Sequence, residues 1–337
     1  VRHARSPFAI DRRSFSALLM GAPLMLAACR AGVGDGGSST LRIGDQSKSL
    51  QLPFELAGEV EGPPLPFQWM TFTDGPNMNA AFLSDALDVG TMGDTPALFA
   101  SAAGADVVII AAGSTAPNSY LQIIARPDTG IRTLADLKGK RIAFTKSTAL
   151  HGYLLLALEH AGLSQADITP IDVPLVALMR ALQSEAADAA VLGGPMIPGY
   201  LAQQPDAVVL DAPDGGYNVI LAARRSLAHP TIRSALVDFV ARGARAGEWL
   251  KAHPDIWREE YFRGVQHQDE AGAQALLKRV GIRPYFKTVT AELRTHLERQ
   301  AKLLSGAGAL PPGPIAADLF DGGINREFNQ AIEEAIG

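Results

Sequence analysis

Ser147 and His151 stand four residues apart at what reads as the start of a helix, so their side chains share one face, as a nucleophile and its base would require. No acid is placed to orient the histidine, and no sharp strand-to-helix turn presents the serine. His151 is therefore expected to act as a ligand contact or a packing residue, not as a catalytic base. The single cysteine, Cys29, excludes both a disulfide framework and a Cys-based zinc site, and the seven histidines contain no H-E-x-x-H or comparable spacing. No metal and no cofactor is expected. The chemistry left to this chain is that of hydroxyl, amide and backbone N–H groups.

Those groups concentrate in short stretches where a strand pattern gives way to a helix pattern. They are Gly44-Asp45-Gln46-Ser47-Lys48-Ser49, Phe72-Thr73-Asp74-Gly75-Pro76-Asn77, Gly93-Asp94-Thr95-Pro96, and Thr145-Lys146-Ser147-Thr148-Ala149-Leu150-His151. Each reads as a helix N-terminus, which carries roughly half a positive charge and several unpaired N–H donors. Ser, Thr and Asp also occur at helix starts as plain structural caps. Gathered around one cleft, the stretches would cradle a small oxyanion. The candidate ligand-binding residues are Gln46, Ser47, Asp74, Gly75, Gly93, Asp94, Thr95, Lys146, Ser147, Thr148 and His151, with Gly194 added below. Replacing Ser147 and Thr148 by Ala is expected to cost about 1 kcal/mol or more per hydrogen bond to a charged ligand.

The elements that must position these groups alternate along the chain. Strand-like runs at 41–44, 67–72, 88–92, 107–112, 141–144, 169–173, 188–192 and 207–210 are separated by amphipathic segments such as 76–85, 95–103, 149–161 and 175–184. This succession predicts an α/β fold with parallel-rich sheets flanked by helices. Two further runs, 120–125 and 218–223, flank the block 126–217. They predict a chain that leaves a first lobe (41–125), builds a second (126–217) and returns to the first (218–337), leaving a ligand cleft between the lobes. From Pro230 onward the pattern is helical, and 325–336 repeats apolar Phe328, Ile332 and Ile336 every fourth position.

Composition narrows the class. The 337 residues suit about two domains of ~150 residues. A net charge of −5 offers no basic excess for a polyanion, so nucleic-acid binding is disfavoured. Ahead of the first strand, Arg2, Arg5, Arg12 and Arg13 precede an apolar stretch at 15–28 that is too short to cross ~30 Å of hydrocarbon. Residues 1–28 read as a signal peptide, with the general and the twin-arginine export routes both open. Leu26-Ala27-Ala28-Cys29 resembles the lipobox of bacterial lipoproteins, so Cys29 is the expected lipidation site, with 29–40 as lipidated Cys and flexible tether. The other chemistry-bearing residues read as ordinary: Glu259-Glu260 as a solvated face, His229, His253 and His267 as surface groups, and Trp69, Trp249 and Trp257 as packing anchors.

In their order and spacing, Leu41-Arg42-Ile43-Gly44, Phe72-x-x-Gly75-Pro76, Gly93-Asp94-Thr95-Pro96, Leu137-Lys138-Gly139-Lys140 with Ile142-Ala143-Phe144, and Lys146-Ser147-x-x-x-His151 resemble the aliphatic sulfonate-binding proteins of ABC importers. That group also contains nitrate, taurine and pyrimidine-precursor binders. The resemblance implies a periplasmic-binding-protein type II fold whose two α/β lobes close on a small anion. It implies delivery by a monomer to a membrane permease driven by a cytoplasmic ATPase, with membrane contact through the lipid anchor alone. It leaves open sulfonate, nitrate, sulfate ester or a pyrimidine-type precursor as ligand. The family's desulfinase-like enzymes depend on cysteine, and here the only cysteine is Cys29. Where similar sulfonate binders often carry Trp-Asp-Pro-Tyr, this chain has Gly193-Gly194-Pro195-Met196. Loss of an aromatic wall and a carboxylate is expected to enlarge that side of the cleft and to disfavour taurine.

Overall fold

Ala189–Gly193 is buried along its whole length, as a strand covered by helices on both faces must be. It is one of ten strands: β1 (Leu41–Gln46), β2 (Phe67–Phe72), β3 (Val89–Gly93), β4 (Val107–Ser114), β5 (Leu121–Ala125), β6 (Arg141–Phe144), β7 (Thr169–Asp172), β8 (Ala189–Gly193), β9 (Val208–Leu210) and β10 (Tyr217–Ala223), of which the edge strands β2 and β7 are the more exposed. The computed structural model describes residues 40–337 except 61, 63, 117–119, 213–214 and 284. The expected signal peptide, the lipidation site Cys29 and nearly all of the tether lie outside the described residues.

The strands form two five-stranded sheets, ordered β2-β1-β3-β10-β4 and β7-β6-β8-β5-β9. In each, most strands run parallel and one is antiparallel to its neighbours: β10 between β3 and β4, and β5 between β8 and β9. The expected parallel-rich α/β architecture is therefore present. One boundary differs. Residues 120–125 were expected in the first lobe, yet β5 pairs Leu121 with Gly193 and Ala125 with Ala189 in the second sheet. A continuous apolar run looks the same in either sheet, and only the hydrogen-bonding partner decides its membership.

Each sheet thus contains one strand that has just arrived from the other. The two crossings meet where Thr115 N–H donates to the Gly216 carbonyl at 2.8 Å and Gly216 N–H donates to Thr115 Oγ1 at 2.9 Å. Glycine is required beside this contact, since a Cβ on Gly215 would lie 2.0 Å from the Thr115 carbonyl oxygen.

The two halves repeat one device at the edge opposite these crossings. Arg42 on β1 grips Asp88, just before β3, through Nε at 3.0 Å and Nη2 at 2.8 Å. Arg141 on β6 grips Asp188, just before β8, at 3.2 and 2.6 Å. These two-pronged pairs hold neighbouring parallel strands in register. The edge strand β7 tolerates Pro170 because only one of its sides must donate to the ladder.

The second sheet has one apolar core, including Leu154, Leu178 and Val191. The first is covered on both faces. One face carries Ala291–Gly306 through Leu293, Leu297 and Leu304. The other carries the long helix Pro230–Ala252 and the last helix Gly322–Ile336, with Phe328 and Ile332 buried and Ile336 exposed at the chain end. Trp69 joins an aromatic cluster with Phe54, Phe67 and Phe239, and Trp257 stacks on Tyr261 at 4.1 Å. No helix among the described residues is long and apolar enough to cross a membrane.

Candidate functional site

The carboxyl ends of the parallel strands in both sheets face a cavity of about 530 Å³, the place where α/β sheets ordinarily bind ligands. From the first sheet come Gln46, Ser47 and Ser49 after β1, Thr73, Asp74 and Gly75 after β2, and Gly93 and Asp94 at the end of β3. From the second come Thr148, Ala149 and Leu150 after β6, Leu175 and Val176 after β7, and Gly193, Pro195 and Met196 at the end of β8. The crossing residues Thr115, Gly215 and Gly216 line it as well.

Helices Gly75–Leu83, Asp94–Ala102, Ala149–His160 and Met196–Gln203 begin at this cavity. Their first turns leave backbone donors without partners inside the helix. The lining also contains apolar side chains, Leu121, Leu156, Met179 and Met196 among them, and Val176 is 93% exposed. Helix N-termini and apolar side chains lining one cavity suit a charged head on an uncharged tail.

Of the expected ligand-binding residues, the cavity brings together Gln46, Ser47, Asp74, Gly75, Gly93, Asp94 and Thr148, and does not include Thr95, Lys146, Ser147, His151 or Gly194 among its lining. Each exclusion has a physical cause. Thr95 is fully buried against Asp94. The exposed Lys146 lies outside the cavity, its backbone N–H tied to Asp172 at 3.0 Å. Ser147 takes the left-handed conformation (φ +63°) in the turn before the helix and is not among the lining residues. His151 faces the second core, with Nε2 at 2.9 Å from Gln165 Oε1 and its ring 4.8 Å from that of Phe144. Burial pushes its imidazole toward the neutral form, a shift that the Gln165 hydrogen bond only partly opposes.

Several included residues also serve as caps. Asp74 accepts from Asn77 N–H at 2.9 Å. Thr148 accepts from Leu150 N–H at 3.3 Å while its hydroxyl donates to the Thr145 carbonyl at 2.7 Å. The Thr148 proton is thus committed within the chain, contrary to the expectation that it reaches a ligand. Thr148→Ala should lower stability by about 1 kcal/mol through loss of the cap and leave ligand affinity nearly unchanged. Urea denaturation together with titration calorimetry would check both.

Asp94 is the most heavily engaged group here. Its carboxylate accepts from Thr95 N–H at 2.7 Å, Tyr217 N–H at 3.0 Å and His296 Nε2 at 2.9 Å. Burial alone would raise its pKa, but His296, by hydrogen bond and charge, and the two backbone donors outweigh this and hold the carboxyl below its ordinary value. Asp45 shows the opposite balance. It accepts from the N–H groups of Gln46, Leu50 and Gln51 and from Ser49 Oγ, yet desolvation prevails and its pKa is raised.

Sequence reasoning missed the aromatic and cationic part of the cavity, Tyr120, Tyr217, Tyr261, Arg283 and Tyr285, and the amide Gln300 beside it. Arg283 lies in the connection between helices Glu270–Val280 and Ala291–Gly306, where Gly281-Ile282-Arg283-Pro284-Tyr285 combines turn formers with functional side chains, a signal available beforehand. Lys287 exchanges both backbone hydrogen bonds with Ala112 on the outer edge of β4. Phe286 fills a slot at Gly243, where a Cβ would come within 2.4 Å of the ring. The side of the cleft beside Gly194 is likewise not left empty by the missing aromatic. Gly194 has φ +49°, and a Cβ there would meet the Tyr120 ring at 3.0 Å, so Tyr120, just ahead of β5, supplies an aromatic group on this side.

A sequence-family profile described as "ABC transporter, phosphonate, periplasmic substrate-binding protein" matches residues 57–246. The chain is 33% identical over 177 residues to the putative aliphatic sulfonates-binding protein of Escherichia coli (strain K12), an alignment covering 52% of this chain and 55% of that relative. The chain thus matches about half of that protein's length. Among solved structures, the periplasmic aliphatic sulphonate binding protein from Escherichia coli superposes with a TM-score of 0.69 at 25% identity, covering 85% of this chain and 92% of the other. The alkanesulfonate-binding protein from Xanthomonas axonopodis pv. citri bound to MOPS also gives 0.69, at 26% identity and coverages of 84% and 98%. With the profile spanning more than half of its residues, a mixed two-sheet fold of the same kind and a cavity at the facing strand ends, the chain belongs to the periplasmic substrate-binding protein family of ABC transporters.

Proposed function

We propose that this protein is the extracytoplasmic solute-binding component of an ABC importer and that it captures a small organic anion, a sulfonate with an uncharged tail. The observation that carries this reading is one cavity lined both by four helix N-termini from the two sheets and by apolar side chains. Oxyanion oxygens accept from the helix ends, while the tail displaces water from Leu121, Leu156, Met179 and Met196. The two crossings that meet at Thr115 and Gly216 serve as the hinge about which the lobes, at 41–120 with 217–337 and at 121–216, close. The sulfonate-binding relatives support the ligand class. Carriage rather than turnover fits a buried His151 whose Nε2 is engaged with Gln165 Oε1 and which does not line the cavity. Export through residues 1–28, lipidation at Cys29, delivery as a monomer, and a permease with its ATPase as partners complete the reading.

Both carboxylates at the cavity already accept hydrogen bonds, Asp94 from His296 and Asp74 from Asn77 N–H, so an ammonium group would have to compete with these donors. Taurine is therefore expected to bind poorly. A ligand present at 100 times its Kd stabilises the native state by about 2.7 kcal/mol. Octanesulfonate and butanesulfonate should raise the melting temperature by several degrees, and taurine at the same concentration should leave it nearly unchanged. A larger shift with taurine, or none with any sulfonate, would reverse this assignment.

A further inference from the structure

Among the described residues that line the cavity, Arg283 is the one Lys or Arg side chain. No carboxylate of the described residues forms an ion pair with it, in contrast to Arg42, Arg126 and Arg141 elsewhere. Its partners are aromatic. Cζ stands 3.8 Å from the Tyr120 ring centroid and 5.7 Å from that of Tyr285, and Nη2 donates to the Tyr285 hydroxyl at 3.1 Å. Tyr261, carried by the π-helical turn Arg258–Val265, borders the same guanidinium. Tyrosines hold a guanidinium in place by cation–π attraction and hydroxyl contacts but leave its full charge uncompensated. A half-buried guanidinium held by aromatic rings, with no carboxylate paired to it, keeps donors and charge to offer an anion in the cavity.

We propose that Arg283 is the specificity-determining residue of the cleft, supplying the formal counter-charge that selects an anionic sulfonate over an uncharged ligand of the same shape. This rests on the sulfonate reading above and adds to it the source of charge discrimination. Helix ends supply partial charges that also suit a neutral sulfonyl oxygen. A guanidinium distinguishes a full negative charge from none and can grip two oxygens at once. Tyr120 and Tyr285 are positioning residues that keep its planar face from turning toward solvent.

The test is titration calorimetry of the whole protein with octanesulfonate and with octanesulfonamide, its uncharged counterpart, on wild type, Arg283→Gln, Arg283→Lys and Tyr285→Phe, with thermal unfolding of each variant as a folding control. Wild type should prefer the sulfonate by at least tenfold. Arg283→Gln should lose at least tenfold in sulfonate affinity, keep its sulfonamide affinity, and show a weaker salt dependence. Arg283→Lys should retain part of the preference, and Tyr285→Phe should weaken it by a smaller factor. If Arg283→Gln is poorly folded, the Lys and Phe variants decide: a preference unchanged in both overturns the proposal. Sulfonate binding by a folded Arg283→Gln within twofold of wild type overturns the role of Arg283 alone. Absence of sulfonate binding in wild type overturns the sulfonate reading and this inference with it.

Discussion

Asp94→Ala is expected to destabilise the protein by about 3 kcal/mol, because the donors it satisfies are left unpaired at about 1–3 kcal/mol each. The carboxylate is 3% exposed and meets His296, Tyr217 N–H and Thr95 N–H at once. Its removal strands a histidine and two backbone donors at the junction of β3, β10 and the helix Ala291–Gly306. Asp94→Asn keeps an acceptor and should cost less. Denaturant unfolding of the three proteins would check the order.

The pH dependence follows from the sign of the shift. The folded pKa of Asp94 lies below its unfolded value, so its contribution is fully present above the unfolded value near ~3.9 and is lost as pH falls toward the folded pKa. Asp45, whose folded pKa is raised, contributes in the opposite sense: favourably below the unfolded value and progressively less as pH rises through the folded one. Asp94→Ala should therefore flatten the acid limb of the stability profile, and Asp45→Asn should improve relative stability as pH rises above ~4. An unchanged acid limb in Asp94→Ala would remove the carboxylate from this role.

The second large effect is expected at Gly152, which lies outside the cavity lining. It sits on the helix Ala149–His160 of the second sheet, where a Cβ would come within 2.1 Å of Thr95 Oγ1 and 2.6 Å of Gln300 Nε2, both attached to the first. This close approach lets the ends of helices Asp94–Ala102 and Ala149–His160 face one cavity. Gly152→Leu cannot be accommodated without separating them. Overpacking of this kind typically costs about 1–3 kcal/mol, and displaced helix ends should weaken anion binding by about tenfold, equivalent to ~1.4 kcal/mol. Calorimetry and unfolding would report the two effects separately. Full affinity in a stable Gly152→Leu protein would show that the contact does not set the cleft.

The elements and their type were legible because hydrophobic periodicity and turn chemistry are local. Arg141–Phe144 has the bounds its residues predict, and Asp74 and Thr148 cap the helices they announce. The strand-to-helix turns were equally readable, so Gln46, Ser47, Asp74, Gly75, Gly93, Asp94 and Thr148 could be placed at a site before any pairing was known. What tertiary structure alone decided is which way side chains point and which distant segments meet. His151 shares a helix with Ala149, which lines the cavity, yet faces the core because helical position rotates it there. Leu121–Ala125 joined the second sheet because hydrogen bonds to Ala189–Gly193, absent from any local pattern, select it. Arg283, about 160 residues from Tyr120 in sequence, reaches its ring because Lys287 pairs with Ala112 and Phe286 fills the space at Gly243. Local sequence sets backbone preference, whereas charge and shape in the cleft arise from contacts made only when remote segments are packed together.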